Sequence, residues 1–190
     1  ILQSKNNFIH RINNIIFCLA LFDYNKLDTK IIIKNINKVK PVIGRGLIVE
    51  KIINKKRIIF IDETYNANPD TMAQSIDYFN SMNSGDFDKF LILGDMNELG
   101  KYSKNLHLNL LKNVEKYKFH TVILCGEFLE LAIMKIKRPL NKYVIKKNEK
   151  DLIRFIKSKI HKNAMILAKC SNSTNVNKFA LKFAKMKGDN

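Results

Sequence analysis

Cysteine is scarce in this chain, and no apolar run in it is long. Its three cysteines, Cys18, Cys125 and Cys170, are odd in number and widely spaced, with no Cys-x-x-Cys pair among them. This spacing argues against a disulfide framework or a zinc site, and it favours free, buried thiols in a reducing compartment. The longest apolar run, residues 15–22, is much shorter than the roughly 18 residues that mark a membrane-spanning helix. Because the sequence also shows no signal-peptide pattern, we expect a cytoplasmic protein without a membrane span.

Acidic residues are also few. The 190 residues include 17 Asp and Glu against 34 Lys and Arg, which gives a formal net charge of +17. Such a charge attracts nucleic acid, anionic lipid or phosphorylated ligands. The lysines are spread over the whole length, without interleaved aromatic residues or an RNA-binding signature, and they accompany the isoleucine and asparagine that AT-rich codons produce. We therefore predict no nucleic-acid partner, whereas a basic field suits a phosphorylated small ligand.

Helix and strand patterns follow one another along most of the chain. Helical spacing over residues 6–22 and 28–35 ends at residues 41–46, where one proline and two glycines surround Arg45 as in a linker. Strands are predicted at residues 47–53, 57–61, 90–93, 121–124, 143–145 and 164–168. Helices are predicted at residues 71–82, 103–117, 127–136, 149–160 and 175–186. This alternation predicts an α/β fold, a Rossmann-like and mostly parallel sheet with helices on both faces and a hairpin at its edge.

Two of the predicted strands turn abruptly polar where they end. The first is followed by Asp-Glu-Thr-Tyr-Asn-Ala-Asn-Pro-Asp-Thr-Met at residues 62–72, and the second ends in Leu-Gly-Asp-Met-Asn-Glu-Leu-Gly at residues 93–100. In an open α/β sheet, ligands bind in the crevice outside the carboxyl ends of the strands. A core strand needs no such polar cluster at its exit, so the two blocks together indicate a binding site.

These two blocks closely resemble the C-terminal domain of the Mur ligases. That domain carries Asp-(Asp/Glu)-(Ser/Thr)-Tyr-Asn-Ala-Asn-Pro-Asp-(Ser/Thr)-Met and then Leu-Gly-Asp-Met-x-Glu-Leu-Gly, which residues 62–72 and 93–100 match almost throughout. The most similar members use ATP and Mg²⁺ to add D-Ala-D-Ala to a UDP-N-acetylmuramoyl-tripeptide in peptidoglycan precursor synthesis. The resemblance implies that residues 1–40 are trailing helices of a central ATPase domain, residues 41–46 a hinge, and residues 47–190 the C-terminal domain.

The resemblance implies five residues at ATP: Arg45, Asp62, Glu63, Asn66 and Asn68. The Arg45 guanidinium suits bidentate contact with phosphate oxygens, and its flanking glycines allow a close backbone approach. Asp62 or Glu63 holds the ribose in the family, and which of the two does so stays open. Asn66 and Asn68 lie at the nucleotide there, since an amide both donates and accepts. Each residue also has an alternative interpretation. Arg45 is then a surface arginine, one of the two acidic residues caps the following helix, and residues 66–69 form a plain turn in which proline begins a helix.

The resemblance also implies four residues on the side of the acceptor: Asp95, Glu98, Lys169 and Ser171. Asp95 and Glu98 form either a polar lip at the site or an N-cap and a loop. Lys169 and Ser171 match a Lys-Gly-Ser-Arg loop of the family, but the glycine is replaced by Cys170 and the arginine by Asn172. Cysteine can block a close backbone approach and asparagine cannot form a bidentate clamp, so these replacements put acceptor binding in doubt.

Other chemical signatures are weak or missing. His107 matches a family histidine but is interpreted as structural, and no metal-ligand spacing or Ser/His/Asp arrangement occurs. The phosphate loop Gly-x-x-x-x-Gly-Lys-(Ser/Thr) is absent; in the family it lies, with the Mg²⁺ ligands, in the central domain. We therefore expect no turnover by this chain alone, and a separate chain carrying the ATPase domain is a partner to look for. The alternatives are a non-catalytic remnant or binding module of a split ligase gene, and a sister ligase such as one that adds glutamate to folate.

Overall fold

The computed structural model describes residues 9–38, 42–137 and 142–188, and the chain divides into two compact units after Val42. The first unit contains α1 (Ile9–Tyr24), α2 (Lys30–Asn35) and a 3₁₀ turn at Ile36–Lys38. Asp28 Oδ1 accepts a hydrogen bond from the Lys30 N–H at 2.9 Å, which satisfies a donor at the start of α2. The helices predicted over residues 6–22 and 28–35 are thus found, although residues 6–8 lie outside the described residues.

Apolar side chains are exposed along this first unit. They are Ile16, Phe17, Leu21, Tyr24, Leu27, Ile31 and Ile33. Cys18 is exposed as well, so the prediction of buried thiols is wrong for this cysteine and correct for Cys125 and Cys170. The reason is that α1 buries only part of its apolar surface, so helical spacing alone does not determine which side is covered. Within the described residues, no helix is both long and apolar enough to cross a membrane.

The second unit is built on a six-stranded sheet in the order β1-β2-β6-β3-β4-β5. Its strands are β1 (Leu47–Ile53), β2 (Lys56–Glu63), β3 (Asp88–Gly94), β4 (Thr121–Cys125), β5 (Tyr143–Ile145) and β6 (Ala164–Lys169). Its helices are α3 (Pro69–Ser81), α4 (Ser103–Val114), α5 (Glu127–Ile133), α6 (Glu149–Lys159) and α7 (Asn175–Lys185). Only β1 runs antiparallel, so the predicted mostly parallel sheet is confirmed, with element bounds that shift by a few residues.

The antiparallel pair is the predicted hairpin. Ile53 pairs with Lys56, so Asn54 and Lys55 form a two-residue loop, and both have positive φ, 51° and 62°. Positive φ at both central positions is the geometry of a type I′ turn, whose twist matches that of the flanking strands.

The order of the strands places helices on both faces of the sheet. Connections from β2 to β5 advance in one direction through α3, α4 and α5, and α6 then returns the chain to β6. Because parallel crossovers are right-handed, opposite directions of travel put the helices on opposite faces. Side chains from α6 and α7 pack with Phe60, Ile92 and Ile166, while the alternate strand residues Ile61 and Leu91 are also fully buried.

The carboxyl ends of the central strands meet at one edge. Lys169 at the end of β6 is level with Glu63 of β2 and Leu93 of β3, and Gly94 is level with Cys125 of β4. The loops that follow β2, β3 and β6, residues 64–68, 95–99 and 170–174, therefore lie side by side and are called the carboxyl edge below. Between β6 and β3 the following helices, α7 and α4, leave to opposite faces, which is where open α/β sheets bind ligands.

Candidate functional site at the carboxyl edge

The segment Gly44-Arg45-Gly46 is fixed to the end of β2 by backbone hydrogen bonds. The Gly44 N–H donates to Asp62 Oδ2 at 3.0 Å, and the Gly46 N–H donates to the Asp62 carbonyl at 2.8 Å. The Tyr65 N–H in turn donates to the Gly44 carbonyl at 3.1 Å. Both glycines have a φ of 79°, and a Cβ on Gly44 would lie 2.9 Å from the Tyr65 nitrogen. The close approach that glycine allows is therefore an approach to the protein's own strand end.

Arg45 is exposed and lies on the ring of Tyr65. Its guanidinium carbon is 4.1 Å from the ring centroid, within the range of a cation–π contact. The Tyr65 side chain is itself 45% exposed, so the pair lies at the surface of the carboxyl edge. The sequence predicted Arg45 as a phosphate contact but gave no signal for its pairing with Tyr65, because the two residues are brought together by the hairpin.

Asp62 is fully buried and serves the loops on either side of it. Its Oδ1 accepts hydrogen bonds from the Thr64 N–H at 3.1 Å and the Thr64 hydroxyl at 2.6 Å, while Oδ2 accepts from Gly44. Burial raises the pKa of Asp62, and the hydrogen bonds from Thr64 and Gly44 act against that rise. Asn177 of α7 donates to the Thr64 carbonyl at 3.0 Å, so α7 is tied to the same loop. Asp62 therefore holds the loop that begins at Thr64 and the segment at Gly44 in place.

Glu63 and Lys169 form a buried ion pair between β2 and β6. Lys169 Nζ lies 3.6 Å from Glu63 Oε2, and their side chains are 3% and 5% exposed. Lys169 also donates to the Asn66 carbonyl at 2.6 Å. Burial lowers the pKa of Lys169, and the Glu63 carboxylate acts against that lowering. The pair therefore fixes the backbone at Asn66, whose residue is exposed.

Asn68 begins α3 as its N-cap. Its Oδ1 accepts a hydrogen bond from the Thr71 N–H at 2.8 Å, and the Asn68 N–H donates to Thr71 Oγ1 at 3.1 Å. This reciprocal capping box is followed by Pro69 as the first helical residue. The alternative interpretation of this motif, a turn in which proline begins a helix, thus describes its local structure. The cap engages Oδ1 of the exposed Asn68 amide and not its NH₂ group.

Asp95 caps a neighbouring helix. Its carboxylate accepts hydrogen bonds from the Phe128 N–H at 3.2 Å and the Leu129 N–H at 3.1 Å, both in the first turn of α5. A Cβ on Gly126 would lie 2.3 Å from Asp95 Cγ, so glycine is required there by close contact. Burial raises the pKa of Asp95, and the two backbone hydrogen bonds act against that rise. Of the two interpretations open for Asp95, the geometry supports the cap, although on α5 and not on α4.

His107 is buried and has a structural role, as predicted. Its Nδ1 lies 2.6 Å from the Ser103 carbonyl, and its Nε2 accepts a hydrogen bond from the Met96 N–H at 2.9 Å. With the Met96 N–H as donor, Nε2 is the acceptor and the proton is assigned to Nδ1. Asp95 Oδ1 lies 3.6 Å from Nε2.

Ser171 joins three loops of the carboxyl edge. Its hydroxyl accepts a hydrogen bond from the Asn97 N–H at 2.8 Å and lies 3.4 Å from the Ala67 carbonyl. Its own N–H donates to the Asp95 carbonyl at 3.1 Å. Ser171 is buried, whereas Asn97 and Glu98 are exposed, and Glu98 has a φ of 64°. Sequence reasoning named Ser171 by its match to a motif, but its position between loops had no sequence signal.

The two family replacements are accommodated by local contacts. Burial raises the pKa of the Cys170 thiol to about 12, and a Cβ on Gly94 would lie 2.6 Å from Cys170 Cβ. The cysteine side chain thus fits because β3 ends in glycine beside it. Asn172 is exposed, and its Oδ1 accepts a hydrogen bond from the Ser173 N–H at 2.9 Å. Asn172 therefore supports its own turn at the position of the family arginine.

The fold and this edge define an open α/β domain whose carboxyl edge presents exposed polar side chains on loops held by buried charges. The family model described as Mur ligase, glutamate ligase domain, matches residues 44–172. The chain belongs to the Mur ligase family through this domain.

A curated relative is the UDP-N-acetylmuramoyl-tripeptide–D-alanyl-D-alanine ligase of Rickettsia prowazekii (strain Madrid E). The two are 28% identical over 169 residues, which cover 89% of this chain and 36% of the relative. The chain therefore spans about a third of that relative's length.

Two solved structures share the fold. A UDP-N-acetylmuramoylalanyl-D-glutamyl-2,6-diaminopimelate–D-alanyl-D-alanyl ligase from Acinetobacter baumannii has a TM-score of 0.76 at 21% identity, over 94% of this chain and 37% of that one. MurF ligase from Thermotoga maritima, in complex with ADP, has a TM-score of 0.65 at 22% identity, over 87% and 37% respectively. At these identities the likeness concerns the fold alone.

Proposed function

We propose that this chain is the C-terminal part of an ATP-dependent ligase that adds D-Ala-D-Ala to a UDP-N-acetylmuramoyl-tripeptide during peptidoglycan precursor synthesis. The observation that carries the proposal is the match over 89% of the chain to a relative named for this activity. The two polar blocks support it, since both lie at the carboxyl edge, on either side of the loop that follows β6. In this role the domain supplies positioning and charge to a reaction whose phosphate loop lies elsewhere.

The proposal extends to the arrangement of domains. Residues 1–40 are assigned to the end of a central ATPase domain, residues 41–46 to a hinge, and residues 47–190 to the C-terminal domain. The division into compact units after Val42 is compatible with this assignment. Because Gly44 and Gly46 are hydrogen-bonded to the end of β2, the second half of that hinge belongs with the C-terminal domain.

The exposed side chains of the carboxyl edge fit one side of an ATP site. Arg45 offers N–H donors to phosphate oxygens, and the amides of Asn66 and Asn68 offer donors and acceptors to ribose or base. Asp62 and Glu63 are buried, so they act by holding these loops in place. When bound, ATP supplies the phosphoryl group that activates the donor carboxylate.

The described residues offer fewer suitable ligands for Mg²⁺ than for ATP. Across residues 9–38, 42–137 and 142–188, no group of three Asp, Glu, His or Cys side chains is arranged to hold a metal ion. We therefore assign no residue of this chain to Mg²⁺, whose ligands belong to the proposed central domain.

The acceptor is proposed to lie at the loops that follow β3 and β6. Glu98 is exposed there, whereas Asp95, Lys169 and Ser171 are engaged within the protein and shape the site from behind. Asn172 replaces the family arginine and leaves this side without a bidentate clamp. Together with Cys170, this replacement favours a second candidate, a non-catalytic remnant that still folds.

The first test is the mass of the native protein in its source cells, read with a peptide from the C-terminal half. A species much larger than 22.1 kDa identifies this chain as part of a longer ligase. A species at that mass shows a short protein, which then requires a partner that carries the ATPase domain. Isolation of the short species without any such partner supports the remnant.

The second test measures phosphate release by the chain, alone and mixed with the remaining part of the Rickettsia ligase, which this chain does not match. We expect no release from the chain alone, and release from the mixture that requires both the UDP-linked tripeptide and D-Ala-D-Ala. Arg45→Ala should abolish that release, whereas Arg57→Ala, which removes an exposed arginine of the hairpin, should not. Release with single amino acids in place of the dipeptide would point to a sister ligase, and turnover by the isolated chain would contradict the proposed division of labour.

A further inference from the structure

The guanidinium of Arg45 lies over the Tyr65 ring, with its carbon 4.1 Å from the ring centroid. At such a distance a planar guanidinium stacks with one face against an aromatic ring. The N–H groups of arginine lie in the plane of the guanidinium and point outward from its edges. Stacking on a ring therefore fixes the group without consuming the donors that bind a phosphate. Among the described residues, no carboxylate forms an ion pair with Arg45 that would use those donors instead.

The backbone that carries Arg45 is fixed as well. The residues on both sides donate to Asp62, Gly44 to its side chain at 3.0 Å and Gly46 to its carbonyl at 2.8 Å. Tyr65 holds the same segment twice, through its ring and through its N–H, which donates to the Gly44 carbonyl at 3.1 Å. An arginine on a free loop would lose rotamer and backbone freedom on binding, and prior fixation reduces that loss.

We propose that Tyr65 is a positioning residue that holds the Arg45 guanidinium by one face and leaves its N–H groups directed toward the phosphate oxygens of a nucleotide. The inference rests on the proposed function for the class of ligand. It gives Tyr65, which had no assigned role, a function at the site. It also places Arg45 in the C-terminal domain.

The first experiment detects the stack without any ligand. Side-chain NMR signals of Arg45 are compared in the full chain, in Tyr65→Phe and in Tyr65→Leu. A proton above an aromatic ring is shifted upfield, so we expect that shift in the wild type and in Tyr65→Phe and its loss in Tyr65→Leu. Tyr102→Leu is the matched control, since Tyr102 is also exposed, at 59%, and also has a cation, Lys101, near its ring. Arg45 signals that stay at their wild-type positions in Tyr65→Leu would overturn the inference.

The second experiment measures the affinity for inorganic tripolyphosphate by titration at fixed ionic strength. We expect binding about two- to fivefold weaker in Tyr65→Leu, the range of an exposed cation–π contact, and unchanged in Tyr65→Phe. Arg45→Ala should weaken binding at least as much, while Arg57→Ala and Tyr102→Leu should not. Circular dichroism confirms that each variant folds, which is expected because Tyr65 is 45% exposed.

The outcomes separate the inference from the function on which it rests. The inference would be overturned if Tyr65→Leu loses the ring shift while tripolyphosphate affinity is unchanged in both Tyr65→Leu and Arg45→Ala, because Arg45 would then not contact phosphate. Both readouts as expected, together with no phosphate release in the mixed ligase assay, would support the inference and count against the proposed function alone.

Discussion

The two edges of the sheet use charged side chains in different ways. At the amino edge, where the parallel strands begin, single lysines donate hydrogen bonds to the carbonyl groups at the C-terminal ends of helices. Lys89 Nζ donates to the carbonyls of Phe79, Asn80 and Met82 at the end of α3. Lys142 likewise donates to the carbonyls of Val114 and Tyr117 at and just after the end of α4, and Lys51 to those of Ala184 and Met186 at the end of α7.

At the carboxyl edge, by contrast, buried polar groups connect separate segments of the chain. Asp62 links residues 44 and 64, Lys169 links β6 to Asn66, and Ser171 links the loops after β2, β3 and β6. A lysine at the amino edge stabilises one helix end, so its removal has a local cost. Removal of a group at the carboxyl edge disturbs several loops at once and reaches the exposed residues of the candidate site.

The largest expected effect is that of Lys169→Met. The substitution removes the cation beside the buried Glu63 carboxylate, and breaking a buried pair in this way costs about 3–5 kcal/mol. Urea unfolding followed by circular dichroism measures the loss. The double variant with Glu63→Gln should recover part of it, because both charges are then removed. If Lys169→Met lowers the free energy of unfolding by less than about 1 kcal/mol, the buried groups do not connect the loops of this edge as described.

Asp62→Ala should cost about 2–3 kcal/mol at neutral pH, since the Gly44 and Thr64 donors lose their acceptor. Burial raises the pKa of Asp62 in the folded state above its unfolded value of about 3.9. Between these two pKa values the folded state binds more protons, so the free energy of unfolding falls as pH rises through that window.

The matched pair for this pH dependence is Asp62→Asn and Asp86→Asn. The first removes the component of the slope that Asp62 contributes, whereas the second removes an exposed carboxylate as the control. Equal slopes in Asp62→Asn and the wild type would contradict the assigned pKa shift.

At the amino edge, Lys89→Met should cost about 1–2 kcal/mol, because three carbonyls at the end of α3 lose a charged donor. Thermal and urea unfolding measure this loss against Lys118→Met, an exposed lysine whose removal should change stability by less than about 0.5 kcal/mol. The Arg45 side-chain signals should be unchanged in Lys89→Met. A shift of those signals would mean that the two edges are coupled, contrary to the comparison.

The sequence predicts the elements of the second unit well, since each depends on local patterns. The apolar run of β2 and the helical spacing of α7 reflect burial in the core, and Asn54-Lys55 lies at the predicted hairpin turn. The sequence also predicts that the two polar blocks lie at one edge of the sheet, because segments that follow parallel strands meet there.

What the sequence does not predict is which polar residues of the site are exposed. Asp62 is buried because Gly44, 18 residues away, donates to it, and Lys169 is buried because it meets the loop after Glu63, 106 residues away. Asp62 and Asn66 belong to the same motif, yet Asp62 is buried and holds the loop while Asn66 is exposed. Such differences depend on contacts between distant residues, which neither propensity nor spacing encodes.

The smallest expected effect separates a structural role from a binding role at Asn68. Asn68→Ala removes the N-cap of α3 and should cost about 1 kcal/mol, measured by urea unfolding. Asn68→Asp keeps an oxygen acceptor for the Thr71 N–H and should retain wild-type stability, but it lacks the amide NH₂ group. If Asn68 serves only α3, the two variants differ in stability and Asn68→Asp behaves as the wild type toward ATP. If the NH₂ group contacts the nucleotide, Asn68→Asp weakens ATP-dependent activity of the mixed ligase while the helix stays capped.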